Sequence, residues 1–146
     1  MPDSYPVLLD RALAQSIHDA DIGLYKATPG AVYTNAETAT LPGIVMGPGL
    51  PTGFDNCIVI TQLDPISDGR ANIIWRHQII TRVKGTKAQA TNLAWAVREH
   101  IDHKQNVPPG FHISWSWLFS QLTFTADSNG RHSTAQTVYS RGRRPL

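Results

Sequence analysis

The chain has 146 residues, with 13 Lys+Arg against 11 Asp+Glu and a net charge of +2 when histidines are neutral. That length suits a single domain, 1–146, with one sizeable core, and its ordinary apolar content excludes a disordered or strongly self-repelling chain. No apolar run approaches the roughly 20 residues of a membrane helix, the opening MPDSYPVLLDRAL carries acids in place of a basic stretch, so no secretory leader is expected, and the single Cys57 excludes an internal disulfide framework and fits a reducing compartment.

The first stretch, SYPVLLDRALAQSIHDADIG, predicts a helix. Leu9, Leu13 and Ile17 recur every four residues, with Leu8, Ala12 and Ala20 beside them. Ser4 suits the N-cap, Pro6 the first turn and Gly23 the stop. Residues 26–53 then hold four Pro and five Gly with no helical stripe. A structureless loop of that length is uncommon in a compact fold, so the segment is either a working arm or contains short extended pieces such as AVYT and GIVM. FDNCIVITQL reads as an apolar strand, and LDPISDG as a turn. RANIIWRHQIITRVK alternates, with Ile73, Trp75, Ile79 and Val83 on one face. Arg76, Gln78, Arg82 and Lys84 take the other, together with Ile74 and Ile80.

Gly85-Thr86 opens a second helix with a stripe of Ala90, Leu93, Ala94, Val97 and Ile101. Pro108-Pro109-Gly110 separates it from a closing hairpin with Asn129-Gly130 as its two-residue turn. The element order is helix, strand, strand, helix, strand, strand. It predicts an α+β two-layer sandwich: a largely antiparallel four-stranded sheet with two helices on one face and a long Pro/Gly-rich arm.

A two-residue turn sets the hairpin register. It places Leu122 opposite Thr137, Trp117 opposite Gly142 and Trp115 opposite Arg144, a candidate cation–π pair. Trp115, Trp117 and Phe119 then share one face of the strand, and no third layer is evident to cover them. Either the 26–53 arm or a bulge covers these rings, or they form a subunit interface. Charge is concentrated nearby. Residues 1–127 hold 9 Lys+Arg and 11 Asp+Glu, whereas residues 128–146 hold four Arg and no acid. Arg141, Arg143 and Arg144 suit a solvated strand end, acids on a neighbouring subunit, or phosphates.

Catalytic and cofactor constellations are missing. Cys57 lies in an apolar strand and reads as core. His100 and His103 are three residues apart, with neither a cysteine nor an evident third ligand, so no metal site is expected. There is no Gly-x-Ser-x-Gly elbow, and the prolines of MGPGLPTG remove donors that a phosphate nest needs. Trp115 and Trp117 could stack bases, but few basic residues surround them. No enzyme activity and no cofactor are expected.

The amphipathic first helix, the passage LPGIVMGPGLPTGFDNCIVITQL, the strand running into KGTKAQATNLAWAVREHI, and the closing SNGRHSTAQTVYSRGRR together span nearly the whole chain. In this arrangement the chain resembles the tail terminator proteins of long-tailed bacteriophages, also called minor capsid or tail completion proteins. The resemblance implies a similar α+β fold and a virion protein of the tail–neck junction, made in the host cytoplasm. It implies a homohexameric ring on the last ring of the tail tube, which stops tube growth. Its partners would be further copies of itself, the tail tube protein and a head completion or neck protein. DNA would pass through the ring with little specific binding, and no membrane would be involved.

Such a ring needs two different patches on each subunit. Trp115, Trp117 and Phe119 are the candidate subunit interface, and the arm is a second patch. Arg76, Arg82 and Lys84 would line the channel or face solvent, and Arg141, Arg143 and Arg144 would meet a partner, protein rather than DNA. A head–tail connector of the same particle and a nucleic-acid-binding module using the terminal arginines are the competing readings.

Overall fold

The structure, a computed structural model, describes residues 2–145. Helices α1 (Tyr5–Asp19) and α2 (Lys87–Ile101) cover one face of a six-stranded sheet. Its strands are β1 (Leu24–Tyr25), β2 (Gly43–Met46), β3 (Cys57–Ser67), β4 (Asn72–Lys84), β5 (Ile113–Thr123) and β6 (Arg131–Arg143), arranged β1-β2-β3-β4-β6-β5. The two-layer α+β architecture is the expected one.

The strand count is not. The expected four-stranded sheet gains β1 and β2, both from the neighbourhood of the Pro/Gly-rich arm, and β1, β2 and β3 run parallel. The arm is therefore partly sheet. GIVM forms β2, whereas AVYT stays outside the strands and buries Tyr33. Parallel pairing follows from the long connections on either side of β2, which return the chain to the same end of the sheet. The remaining strands, β3, β4, β6 and β5, are antiparallel.

Helix α1 stops earlier than Gly23. Asp21 takes the left-handed position (φ 59°), and the Ile22 amide reaches back to the Ile17 carbonyl at 3.2 Å, closing the helix end. Ser4 occupies the N-cap without a side-chain bond. At α2 the cap is complete: Thr86 accepts from the Gln89 amide, and Gln89 accepts from the Thr86 amide.

Strand β4 divides the molecule. It is paired with β6 along its full length and with β3 on its other side. On the helix face Ile79 packs with Ile44, Ile58, Ile60 and Val138 against Leu13 and Ile17 of α1 and Val97 and Ile101 of α2. Burying each of these large aliphatic side chains stabilises the fold by about 1.5–3 kcal/mol. Trp75, Leu9 and Ile113 form a smaller cluster nearby.

One polar group set sits inside this layer. The Asp10 carboxylate of α1 lies 2.8 Å from Nε2 of His77 and accepts from the Gln62 amide at 2.8 Å. His77 is only 2% exposed. These bonds hold α1 in one azimuth over β3 and β4, which apolar packing alone would leave adjustable. Asp10→Ala strands the buried His77 and takes one partner from the half-buried Gln62, and it is expected to destabilise the fold by about 1–3 kcal/mol, read as a lower urea midpoint with an unchanged slope.

Candidate functional site

The sheet face away from the helices divides into a covered half and a bare half. Over β2, β3 and β4 the arm folds back as a lid. Tyr33 and Phe54, with ring centroids 5.1 Å apart, lie on Cys57 and Val59, and Leu24, Val45 and Ile80 pack alongside. Gly43 sits beneath them, where a Cβ would come within 2.8 Å of both rings. The Tyr33 hydroxyl donates to the Ile44 carbonyl at 2.7 Å.

Arg82 pins the far end of this lid. Its Nε donates to the Asp55 carbonyl at 2.8 Å, and one Nη donates to the carbonyls of Pro51 (2.7 Å) and Phe54 (2.6 Å). It is 4% exposed, so its guanidinium is spent on its own chain. The Cys57 thiol beside it is fully buried, and desolvation pushes its pKa up to about 11, which makes it a poor nucleophile.

Over β6 and β5 no described residue covers the same face. Trp117 meets Tyr139 edge-on at 5.7 Å, and Phe119 stacks on Tyr139 at 4.4 Å with planes 6° apart. Trp115, opposite Arg141, has its ring 5.6 Å from His103. Trp115 is 39% exposed and Phe119 60%. The three rings singled out in the sequence therefore stand together, on the side away from the helices, and the arm ends short of them.

The hairpin register differs from expectation, with consequences for this surface. The loop has three residues, Ser128-Asn129-Gly130, because the Asp127 carboxylate accepts the amides of Asn129 and Arg131, both at 2.9 Å. Gly130, at φ 72°, takes the third loop position in the left-handed region. One further residue slips on the β5 side between Asp127, whose amide bonds the Arg131 carbonyl, and Phe124, whose amide bonds the Ser133 carbonyl, so Leu122 faces Ala135. A β-bulge at Phe119 then shifts the pairing again, so Trp117 faces Tyr139 and Trp115 faces Arg141. The bulge also exchanges the faces of the strand. Leu122 joins the bare aromatic face, while Gln121 turns towards α2 and shares a hydrogen bond with Gln136.

The expected contact between Arg144 and Trp115 does not form. Arg144 bonds the Ala71 carbonyl through its amide and the Ser67 hydroxyl through its guanidinium. Arg141 lies 3.5 Å from Asp68, and Arg143 is exposed beside it. Arg76 is on the bare face opposite Tyr139 and donates to the Asp64 carbonyl at 2.7 Å. Lys84 is at the other end of β4, 3.9 Å from Asp55. The structure thus brings Arg76 and Arg141 to the aromatic face, leaves Lys84 distant, and buries Arg82.

His100 and His103 separate. Helix α2 ends at Ile101; His100 faces the Ser16 hydroxyl at 3.0 Å, and burial, reinforced by Lys104, lowers its pKa. Among the described residues, no group of three His, Cys, Asp or Glu could hold a metal ion, and no helix is long and apolar enough to cross a membrane. Sequence reasoning missed Tyr139, Leu122 and Trp95. Trp95 lies off the apolar stripe of α2 and is 55% exposed, a signal present in the helical periodicity.

Fold and surface together define a two-layer α+β sandwich whose sheet is half covered by its own arm and half bare. Neither a family model nor a curated protein sequence matches the chain. Among solved structures, a chain from the virion of a native gene transfer agent (GTA) particle has the same fold, with a TM-score of 0.60 and 13% sequence identity over 97% of this chain and 100% of that one.

Arg82→Met leaves three carbonyls without their donor and is expected to destabilise the fold by about 1–3 kcal/mol. It should also loosen the lid, read as faster modification of Cys57 by a thiol reagent under native conditions than in the unaltered chain.

Proposed function

We propose that the chain is a structural virion protein and, within that class, a tail terminator. In this reading its copies form a homohexameric ring on the end of the tail tube, at the tail–neck junction. The observation that carries the reading is the end-to-end fold likeness to a chain of a gene transfer agent virion. Support comes from the bare face of Trp115, Trp117 and Phe119, an apolar surface of the kind that marks protein contacts.

The mechanism needs no reaction. A cap stops a polymer when it binds the growing end through one surface and presents another that the next tube subunit does not fit. The second surface then serves the head completion or neck protein. A closed ring requires a heterologous contact, two different patches meeting at each joint. Arg76 and Arg141 already have protein partners at the surface, which suits a channel that lets DNA slide. Arg143 and Arg144 lie at the same sheet end and are assigned to a protein partner. Lys84 is left to the channel or to solvent, and Arg82 serves the lid.

The test mixes purified protein with polymerising tail tubes and, separately, with tailless heads, followed by electron microscopy. Tubes capped at one end and arrested in length are expected. Retention by heads alone would replace the terminator with a neck connector, and binding to free DNA that falls steeply with salt would favour the nucleic-acid reading. The double variant Trp117→Ala, Phe119→Ala should melt close to the unaltered chain yet cap tubes at least about tenfold less efficiently.

A further inference from the structure

The sheet order sorts the chain's charge in space. Residues 1–67, which supply α1, the arm and β1 to β3, carry seven Asp+Glu and two Lys+Arg. Residues 72–146, which supply β4 to β6 and α2, carry ten Lys+Arg and three Asp+Glu. The sheet runs β1-β2-β3-β4-β6-β5, so the half of the molecule that ends in β1 carries an excess of acid and the half that ends in β5 an excess of base, although the whole chain is near neutral.

Each edge also carries uncovered apolar side chains. At the β5 edge, Phe119 and Leu122, each 60% exposed, lie on the bare sheet face. On the helix side stand Trp95 and Phe124, at 55% and 46%, flanking a recess of about 440 Å³ floored by Ala90 and Ala94. Lys87 and Lys104 are exposed around this edge and the Arg98 guanidinium lies 5.4 Å from the Trp95 ring, against one exposed acid, Glu99, and the Asp102 carboxylate that pairs with Arg98. At the opposite edge, Val32 is 76% exposed and Met46 37%, with Asp19 and Asp21 exposed at the end of α1; the two cations there, Arg11 and Lys26, are paired with Asp3 and Glu37.

We propose that these two edges are mates: the β5 edge of one copy, with Trp95 and Leu122, receives the α1–β1 edge of a second copy, with Val32, Asp19 and Asp21. Charge decides the direction. Two β5 edges brought together in a two-fold dimer would oppose net base to net base, and two β1 edges net acid to net acid. The head-to-tail arrangement alone opposes unlike net charges, and it is the heterologous contact that propagates around a ring.

Side chains carry the joint more than backbone pairing does. The exposed donors of the β1 edge are already capped, the Tyr25 amide by His18 Nδ1 and the Lys26 amide by the Tyr33 hydroxyl. Part of the β5 edge is closed likewise, by the Lys104 carbonyl on the Ser116 amide and Asp102 on the Leu118 amide. Such closure blunts open-ended strand addition and leaves the apolar and charged side chains to select the partner.

This pairing rests on the self-assembly proposed above, and the experiment separates the two. One variant reverses the β5 edge (Leu122→Glu with Lys104→Glu); the other reverses the β1 edge (Val32→Lys with Asp19→Lys). All four positions are exposed, and circular dichroism melting verifies that each variant folds. In sedimentation velocity at low salt, the unaltered chain should assemble, and each variant alone should associate about a hundredfold more weakly. An equimolar mixture should restore a complex containing both variants equally, because each retains the edge that the other lacks. Added salt should weaken assembly of the unaltered chain. If the unaltered chain assembles and either variant assembles as well as it does, or the mixture restores nothing, the edge pairing is overturned while self-assembly stands. An unaltered chain that stays monomeric at its highest soluble concentration overturns both.

Discussion

The guanidinium of Arg82 lies where two kinds of order meet. Strand β4 projects Ile79 and Trp75 towards the helices and Ile80 and Arg82 the other way, by the plain alternation of a strand. Buried beneath the arm, a cation of this kind is tolerable only if its donors are satisfied. The carbonyls of Pro51, Phe54 and Asp55 satisfy them. A segment rich in proline and glycine, with little side-chain packing to fix its path, thereby acquires a set position over β3 and β4. Tyr33 and Phe54 follow it down, and Cys57 is sealed below.

That lid stops at β4, and the limit gives the molecule its working surface. Covering β6 and β5 too would have needed more chain or another helix. Instead Tyr139 gathers Trp117 and Phe119 into a small aromatic group that remains in solvent. Such stacking is worth about 0.5–1.5 kcal/mol beyond the area it buries. That is enough to hold the rings in place and too little to remove the incentive for further burial by a partner.

The bulge at Phe119 links local strand chemistry to assembly. An uninterrupted strand would keep Leu122 on the face opposite Trp117. The extra residue turns Leu122 outward to continue the aromatic row and sends Gln121 in towards Gln136 beneath α2. The β5 edge therefore has apolar groups on both of its sides. It belongs to the half of the chain with an excess of base, and the half that ends in β1 has an excess of acid, so a nearly neutral chain has an uneven distribution of charge across the sheet.

Much of this was already determined by the sequence. The period of four along Leu9, Leu13 and Ile17, the Gly85-Thr86 opening of the second helix, and the alternation from Ile73 to Lys84 are short-range signals. Steric and hydrogen-bonding rules read them within a few residues, so both helices, the four long strands and the two-layer architecture could be derived. The tertiary structure alone decided the rest. GIVM could be read as an extended piece, but its parallel pairing on β3, and that of Leu24–Tyr25 on it in turn, depend on edges that only the folded sheet offers. The hairpin register turned on the Asp127 carboxylate and the Phe119 bulge, where one residue either way changes every pairing that follows. Which arginine would be buried depended on where the arm came to rest, and the uneven charge of the two halves of the sheet depended on strand order. Both arise from contacts between residues far apart in the chain, to which local pattern is blind.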